Sequence, residues 1–127
     1  MLRVLRILIV EDEPLIRLEI QGVAEEAGHE VVGSAATGAD AIRIAEEQQP
    51  DVILMDISLV GEMDGIEAAR SIRELWGIRS LFVSAFRDDL RDKADSARPF
   101  GFLLKPIART QLVEALEEIA WQLRKSG

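Results

Sequence analysis

An open α/β fold, with one sheet of five parallel strands and helices on both faces, is what this sequence predicts. Three observations carry the prediction. Strand-length apolar runs alternate with helix-length segments five times along the 127 residues. No repeat or low-complexity stretch interrupts that alternation, the pattern of parallel strands joined by right-handed crossovers. And Val52-Ile53-Leu54-Met55 is an unbroken apolar run between the turn-forming Pro50-Asp51 and the lone carboxylate of Asp56. Such a run fits a strand buried on both faces in the middle of a sheet. Open α/β sheets keep their chemistry at the carboxyl ends of such strands, and Asp56 stands there.

The elements follow in order. Val4 to Val10 is apolar apart from Arg6 and rich in β-branched residues, which reads as a buried first strand. Three acids, Glu11-Asp12-Glu13, end it, and Pro14 suits the first turn of a helix. Leu15, Ile16, Leu18, Ile20 and Val23 supply the apolar side of that helix, and Gly28 can end it. His29 to Ala35 holds a second strand around Val31-Val32, and Thr37-Gly38-Ala39-Asp40 opens a helix with Ala41, Ile42, Ile44 and Ala45 inward. After the central strand and an irregular piece from Ile57 to Glu62, Met63-Asp64-Gly65-Ile66-Glu67 enters a third helix carrying Ile66, Ala69, Ile72 and Leu75. Arg79 to Ala85 reads as the fourth strand, Asp88 to Ala97 as a charge-rich helix, and Phe100 to Leu104 as the fifth strand. Lys105-Pro106 joins it to a last helix with Leu112, Leu116, Ile119, Ala120 and Leu123 inward.

Five strands in one short domain, residues 1–127, favour the flavodoxin-like order 2-1-3-4-5 in a three-layer sandwich. The first and third strands are then neighbours, so Glu11, Asp12 and Asp56 project into one crevice. Carboxylates crowded together oppose one another's ionisation, and a hard divalent cation removes the conflict. An all-oxygen site with room for waters suits Mg²⁺ better than Zn²⁺ or Ca²⁺. Read singly, Asp56 is a cap and the acidic triplet a dipole-favoured helix start. Ser84 and Lys105 change that reading. They end the fourth and fifth strands, and a hydroxyl with an ammonium beside a metal-bound carboxylate is what a transferred phosphoryl group needs.

Composition narrows the function classes. Apolar content of 48% and charged content of 30% describe a soluble globular domain with no stretch able to span a bilayer. The interleaved charge of Met1-Leu2-Arg3-Val4-Leu5-Arg6 does not read as a signal peptide. The absence of cysteine suits a reducing cytoplasm. A net charge of −8 repels phosphate backbones, which argues against direct nucleic-acid binding. His29, the single histidine, follows a turn glycine and is expected at the surface without a role; Trp76 and Trp121 are expected to pack, with an interface as the alternative for Trp121 on the last helix, and Arg87 to Asp95 to be a solvated face.

Taken together, Ile9-Val10-Glu11-Asp12-Glu13, Leu54-Met55-Asp56, Met63-Asp64-Gly65-Ile66-Glu67, Ser84-Ala85 and Gly101-Phe102-Leu103-Leu104-Lys105-Pro106 resemble the receiver domain of two-component response regulators over nearly the whole chain. The resemblance implies Asp56 as phosphoacceptor from a sensor histidine kinase, a phosphotransfer protein or a small phosphodonor. It implies Mg²⁺ held by Asp12, Asp56 and the carbonyl of Ser58, with Glu11 acting through water. Ser84 and Lys105 would hold the phosphoryl group, Phe102 would be an aromatic switch, and the Lys105–Pro106 peptide would be cis. Full burial of Phe102 after Ser84 moves would contribute about 1.5–3 kcal/mol. A downstream protein would read the face made by the fourth helix, fifth strand and last helix, and a homodimer through that face is a further expectation. With no DNA-binding or catalytic segment after the last helix, a stand-alone or excised receiver is expected, not an enzyme beyond its own phosphorylation and dephosphorylation. The sequence departs from the pattern in Leu59-Val60-Gly61-Glu62, which lacks the usual proline and is one residue longer than the commonest spacing before Asp64-Gly65; in Ser84 for Thr; in Phe102 for Tyr; and in Arg98-Pro99-Phe100, which puts the end of the fourth helix in question. Ser58 and Phe86 flank the expected path of the water that removes the phosphate. Three other readings stand against this one. A haloacid-dehalogenase-like phosphatase wants an acid where Ser58 stands, and a docking domain without phosphorylation has no use for the full set of acids and Lys105. A nucleotide-binding flavodoxin or Rossmann protein lacks its Gly-rich loop after the first strand.

Overall fold

A computed structural model describes residues 3–85 and 88–126, with only the backbone at 88, 89, 125 and 126. Phe86 and Arg87, to which the sequence reading assigned a flank of the water path and the start of a charged face, lie outside the described residues. The order is β1 (Arg6–Val10), α1 (Pro14–Glu26), β2 (Glu30–Ala35), α2 (Gly38–Gln48), β3 (Val52–Asp56), α3 (Gly65–Trp76), β4 (Arg79–Ser84), α4 (Asp88–Asp95), β5 (Gly101–Leu104) and α5 (Arg109–Ser126). The strands form one parallel sheet in the order β2-β1-β3-β4-β5. The predicted flavodoxin-like order and fold class therefore hold.

Alternation along the central strands builds two cores. Leu8, Val10, Ile53, Met55 and Phe82 face α2, α3 and α4, where they meet Ala41, Ala45, Ile66, Ala69, Ile72 and Ala94. Ile7, Ile9, Val52, Leu54 and Leu81 face α1 and α5, against Ile20, Ala24, Leu112, Leu116 and Ile119. Every residue of β3 is buried, as the unbroken apolar run requires. Each large side chain shut away in this manner contributes about 1.5–3 kcal/mol.

Helix ends follow local chemistry. Thr37 accepts from the Asp40 N–H at 3.2 Å and caps α2. Asp64 and Glu67 form a reciprocal capping box that starts α3. Gly77, at φ +71°, ends α3 in the left-handed conformation.

Three leucines assigned inward are exposed: Leu15 (81%), Leu18 (64%) and Leu75 (61%). The buried stripe of α1 runs through Ile16, Ile20, Val23 and Ala24, and Leu15 and Leu18 fall off it at 3.6 residues per turn. In α3 it is Trp76, not Leu75, that packs on the core. His29 is not a free surface residue. Its Nδ1 accepts the Leu5 N–H at 3.0 Å. The last helical residue of α4 is Asp95, two short of the expected Ala97, and the chain leaves through Arg98 at φ +48°. Nor is α4 wholly solvated, since Ala94 is buried and Leu90 packs on the core. Among the described residues no helix is long and apolar enough to cross a membrane.

Candidate functional site

Four strand ends meet at the carboxyl edge of the sheet. β1 delivers Glu11 and Asp12, β3 delivers Asp56, β4 delivers Ser84, and the turn after β5 delivers Lys105. One carboxylate oxygen each from Glu11, Asp12 and Asp56 lies within 4.8 Å of the others. Glu11, Asp56 and Ser84 are buried. Glu13, the N-cap of α1, makes no side-chain capping bond.

Lys105 Nζ sits between the acids, 2.8 Å from Glu11 Oε1 and 3.4 Å from Asp56 Oδ2. The contact with Glu11 is held by charge more than by alignment, for Glu11 Oε1 has no well-directed hydrogen bond. The other Glu11 oxygen accepts the Glu13 N–H at 3.2 Å, and Asp56 Oδ1 accepts the Ser58 N–H at 3.1 Å. The Lys105 N–H donates to the Ser84 carbonyl at 2.8 Å, and the Lys105–Pro106 peptide is cis, as the resemblance implies.

Burial, followed by the charge of Glu11, raises the Asp56 carboxyl from 3.8 to about 6 against the partial opposition of Lys105. Burial would also raise Glu11, but Lys105 and the Glu13 N–H outweigh it and hold Glu11 below its ordinary value. Lys105 is desolvated, yet the two acids more than compensate and push it above its ordinary value. Glu11 and Asp56 thus share one ammonium.

The structure brings together Glu11, Asp12, Asp56 and Lys105. Ser84 lies at the same edge, and its buried Oγ has no hydrogen-bond partner. An unpaired buried hydroxyl is costly, so this one is suited to an incoming acceptor. Ser58 is exposed beside Asp56 and contributes its N–H; its carbonyl remains a proposed ligand. Phe102 is already half-buried, 5.7 Å from the Phe82 ring, so an inward turn has only part of the expected burial left to gain. In the altered loop Leu59 packs on the core while Val60 is exposed.

Three contributors were not singled out from sequence. Arg17 Nη1 donates to the Glu11 carbonyl at 2.7 Å and pins the acidic turn to α1. The Arg91 guanidinium lies 4.6 Å over the Phe102 ring. A Cβ at Gly65 would fall 1.9 Å from the Asp56 carbonyl oxygen, so the loop after β3 closes only with glycine there. Neither arginine gave a signal in the sequence, because the carbonyl or ring that each reaches is set by the fold.

The family model of the response regulator receiver domain matches residues 7–117. PdtaR, a transcriptional regulatory protein of Mycobacterium tuberculosis, is 36% identical over 113 residues, which are 88% of this chain and 55% of that protein. CheY, a chemotaxis protein of Thermotoga maritima, is 29% identical over 126 residues, 91% of this chain and 97% of its own length. Among solved structures, the signal receiver domain of a modulated diguanylate cyclase from Desulfovibrio desulfuricans superposes with a TM-score of 0.90 at 29% identity, covering 98% of this chain and all of that one. PhyR of Brucella abortus gives 0.86 at 30% identity, over 98% of this chain and 51% of that protein. The chain therefore spans about half the length of some relatives and nearly all of others. With the acids, the serine and the lysine on the strand ends of a 2-1-3-4-5 sheet, and a family match over residues 7–117, the chain belongs to the response regulator receiver domains of two-component signalling.

Proposed function

We propose that this receiver domain takes a phosphoryl group onto Asp56 and passes the change to a protein partner. The observation that carries the reading is the placement of Asp56 between two further acids and Lys105. In the proposed step an Asp56 oxygen attacks phosphorus in a phosphohistidine or a small acyl phosphate. A phosphorus–oxygen bond forms as the bond to the leaving nitrogen or oxygen breaks, and the donor keeps that electron pair. The nucleophile must be ionised, and a carboxyl near 6 is mostly so at neutral pH. Lys105 would exchange part of its Glu11 contact for the phosphoryl oxygens, and Ser84 Oγ would donate to one of them.

Glu11, Asp12 and Asp56 fit Mg²⁺, because the donors are all oxygen and too few to fill an octahedron without water. The carbonyl of Ser58 would join Asp12 and Asp56, with Glu11 acting through water. When bound, the ion supplies charge neutralisation at the transferring oxygens. A donor protein, either a sensor histidine kinase or a phosphotransfer protein, has an apolar landing beside Lys105. A cavity of about 320 Å³ between α1 and the turn after β5 is lined by Ile16, Ile20, Val23, Ile107 and Leu112, and Leu15 and Leu18 are exposed on α1. The output surface is α4, β5 and α5, where Phe102, Leu104 and Trp121 lie, and a homodimer there is part of the same reading. The acidic charge and absence of cysteine suit a cytoplasmic signalling protein without direct nucleic-acid or membrane contact.

Incubation with acetyl phosphate and Mg²⁺, followed by intact mass, tests the reading. A hydroxylamine-labile phosphoryl adduct is expected, absent in Asp56→Asn and absent when EDTA is added. No adduct on the wild type, or one that survives Asp56→Asn, would refute it.

A further inference from the structure

The opposite edge of the sheet carries a second polar feature that phosphorylation at Asp56 does not use. A pocket of about 320 Å³ is lined by Arg73, Gly77, Arg79 and Arg98. The guanidiniums come from three separate segments: the last turn of α3, the start of β4 and the turn after α4. Like charges gathered in one place repel one another, and this chain has 23 acids against 15 bases with which to neutralise them. Yet none of the three arginines ion-pairs with a carboxylate among the described residues, Glu74 and Asp95 on the adjoining helices included.

The cluster is built, not loose. Arg79 is fixed by Nε to the Arg98 carbonyl at 2.8 Å, by Nη2 to the Pro99 carbonyl at 3.1 Å, and by stacking 4.3 Å over Phe100. Those contacts leave Nη1 uncommitted. Arg98 is held in the left-handed region at φ +48°. Arg73 Nε is shut off from solvent and has no hydrogen-bond partner. A guanidinium nitrogen without an acceptor is costly, and Arg73 lines the pocket in which an oxyanion would stand. Gly77, left-handed at φ +71°, completes the lining.

We propose that Arg73, Arg79 and Arg98 form a binding site for a small, multiply charged phosphate compound, on the edge of the sheet away from Asp56. Guanidinium forks match phosphate oxygens in pairs, which an ammonium cluster would not do. The pocket volume accommodates a diphosphate group. β4 runs from Arg79 in this pocket to Ser84 at the phosphoacceptor, about 17 Å at ~3.3 Å per residue, so the two anion sites are separate. The turn carrying Arg98 also ends α4, so an occupant would contact the element that leads into the proposed output face.

Calorimetric titration of the whole chain with inorganic pyrophosphate in EDTA tests the site, with amide chemical shifts to locate it. Saturable binding is expected, with the largest shifts at Gly77, Ile78 and Arg98. Arg73→Gln with Arg98→Gln is expected to weaken it at least tenfold, whereas Lys105→Gln leaves it unchanged. Arg73→Lys with Arg98→Lys keeps the charge and removes the fork, and should still weaken binding several-fold. Inorganic phosphate, with fewer oxygens to share, should bind more weakly than pyrophosphate. Shifts that centre on Ser84 and Lys105, no saturation, or unchanged affinity in a folded Arg73→Gln/Arg98→Gln protein would each overturn the proposal. Binding of a polyglutamate peptide at these arginines without binding of pyrophosphate would also overturn it, by making the pocket a contact for an acidic protein segment.

Discussion

Replacing Asp56 by Asn should stabilise the metal-free protein. Asp56 is buried beside Glu11, with Lys105 shared between them. Its carboxyl is raised from 3.8 to about 6, so at neutral pH the folded state carries an ionised group that burial and Glu11 disfavour. At 1.36 kcal/mol per pH unit that displacement corresponds to about 3 kcal/mol. Lys105 is 22% exposed and Ser58 beside Asp56 is exposed, so solvent screens the site and about 1–2 kcal/mol is the expected gain. The sign depends on pH. A carboxyl raised in the folded state is not penalised below 3.8, where it is protonated whether folded or not; the penalty grows as pH rises through about 6 and is constant above. Urea unfolding in EDTA should therefore show Asp56→Asn more stable than wild type at pH 7.5, with the two converging toward pH 4. Saturating Mg²⁺ should reverse the order, because the wild type gains binding free energy that the amide does not. An Asn variant less stable than wild type at pH 7.5 without metal, or a difference that ignores pH, would refute the view that the site is electrostatically strained.

Gly65→Ala should cost more than 2 kcal/mol, or prevent folding, because its Cβ would lie 1.9 Å from the Asp56 carbonyl oxygen; urea unfolding checks it, and a loss under about 0.5 kcal/mol contradicts the packing. Arg91→Ala uncovers one face of Phe102 and should cost about 0.5–1 kcal/mol at an exposed site. A double-mutant cycle with Phe102→Leu should show coupling of that size, and additivity would deny the contact. His29, lowered by burial against the charge of Glu117, accepts the Leu5 N–H only when neutral. A base lowered in the folded state contributes stability above 6.5 that is lost as pH falls. His29→Ala should thus cost about 1 kcal/mol at pH 7.5 and less at pH 5, and a pH-independent cost would exclude the hydrogen bond.

Sheet order and the site acids were legible because they depend on local signals. The unbroken run of β3, the acids ending β1 and the serine and lysine ending β4 and β5 are each readable within a few residues, and the parallel topology then leaves their side chains nowhere to go but one edge. Misreadings came where side-chain direction matters more than residue type. Leu15, Leu18 and Leu75 are apolar but lie off the buried stripes, and His29 has a polar partner across the domain at Leu5. The contacts of Arg17 and Arg91 fall in the same class. An arginine in a helix says nothing about which carbonyl or ring it will reach.

Charge balance explains why the site is poised to accept a ligand. The fold places Glu11, Asp12 and Asp56 together and provides Lys105 as an ammonium between Glu11 and Asp56. That ion satisfies neither acid fully, since Glu11 Oε1 lacks a directed hydrogen bond and Asp56 stays near 6. Ser84 Oγ, close by in the fold, is buried without an acceptor. Each of these is an electrostatic or hydrogen-bonding strain that a ligand would relieve: a divalent cation for the acids, and phosphoryl oxygens for Lys105 and Ser84. Under the proposed function these strains are therefore coupled. Relieving one draws Lys105 away from Glu11, which increases the need for the cation, so phosphorylation and Mg²⁺ binding should reinforce each other. Mg²⁺ affinity measured before and after phosphorylation of the same sample should rise, and a fall would mean that Lys105 stays on Glu11 and that the phosphoryl group is held by other residues.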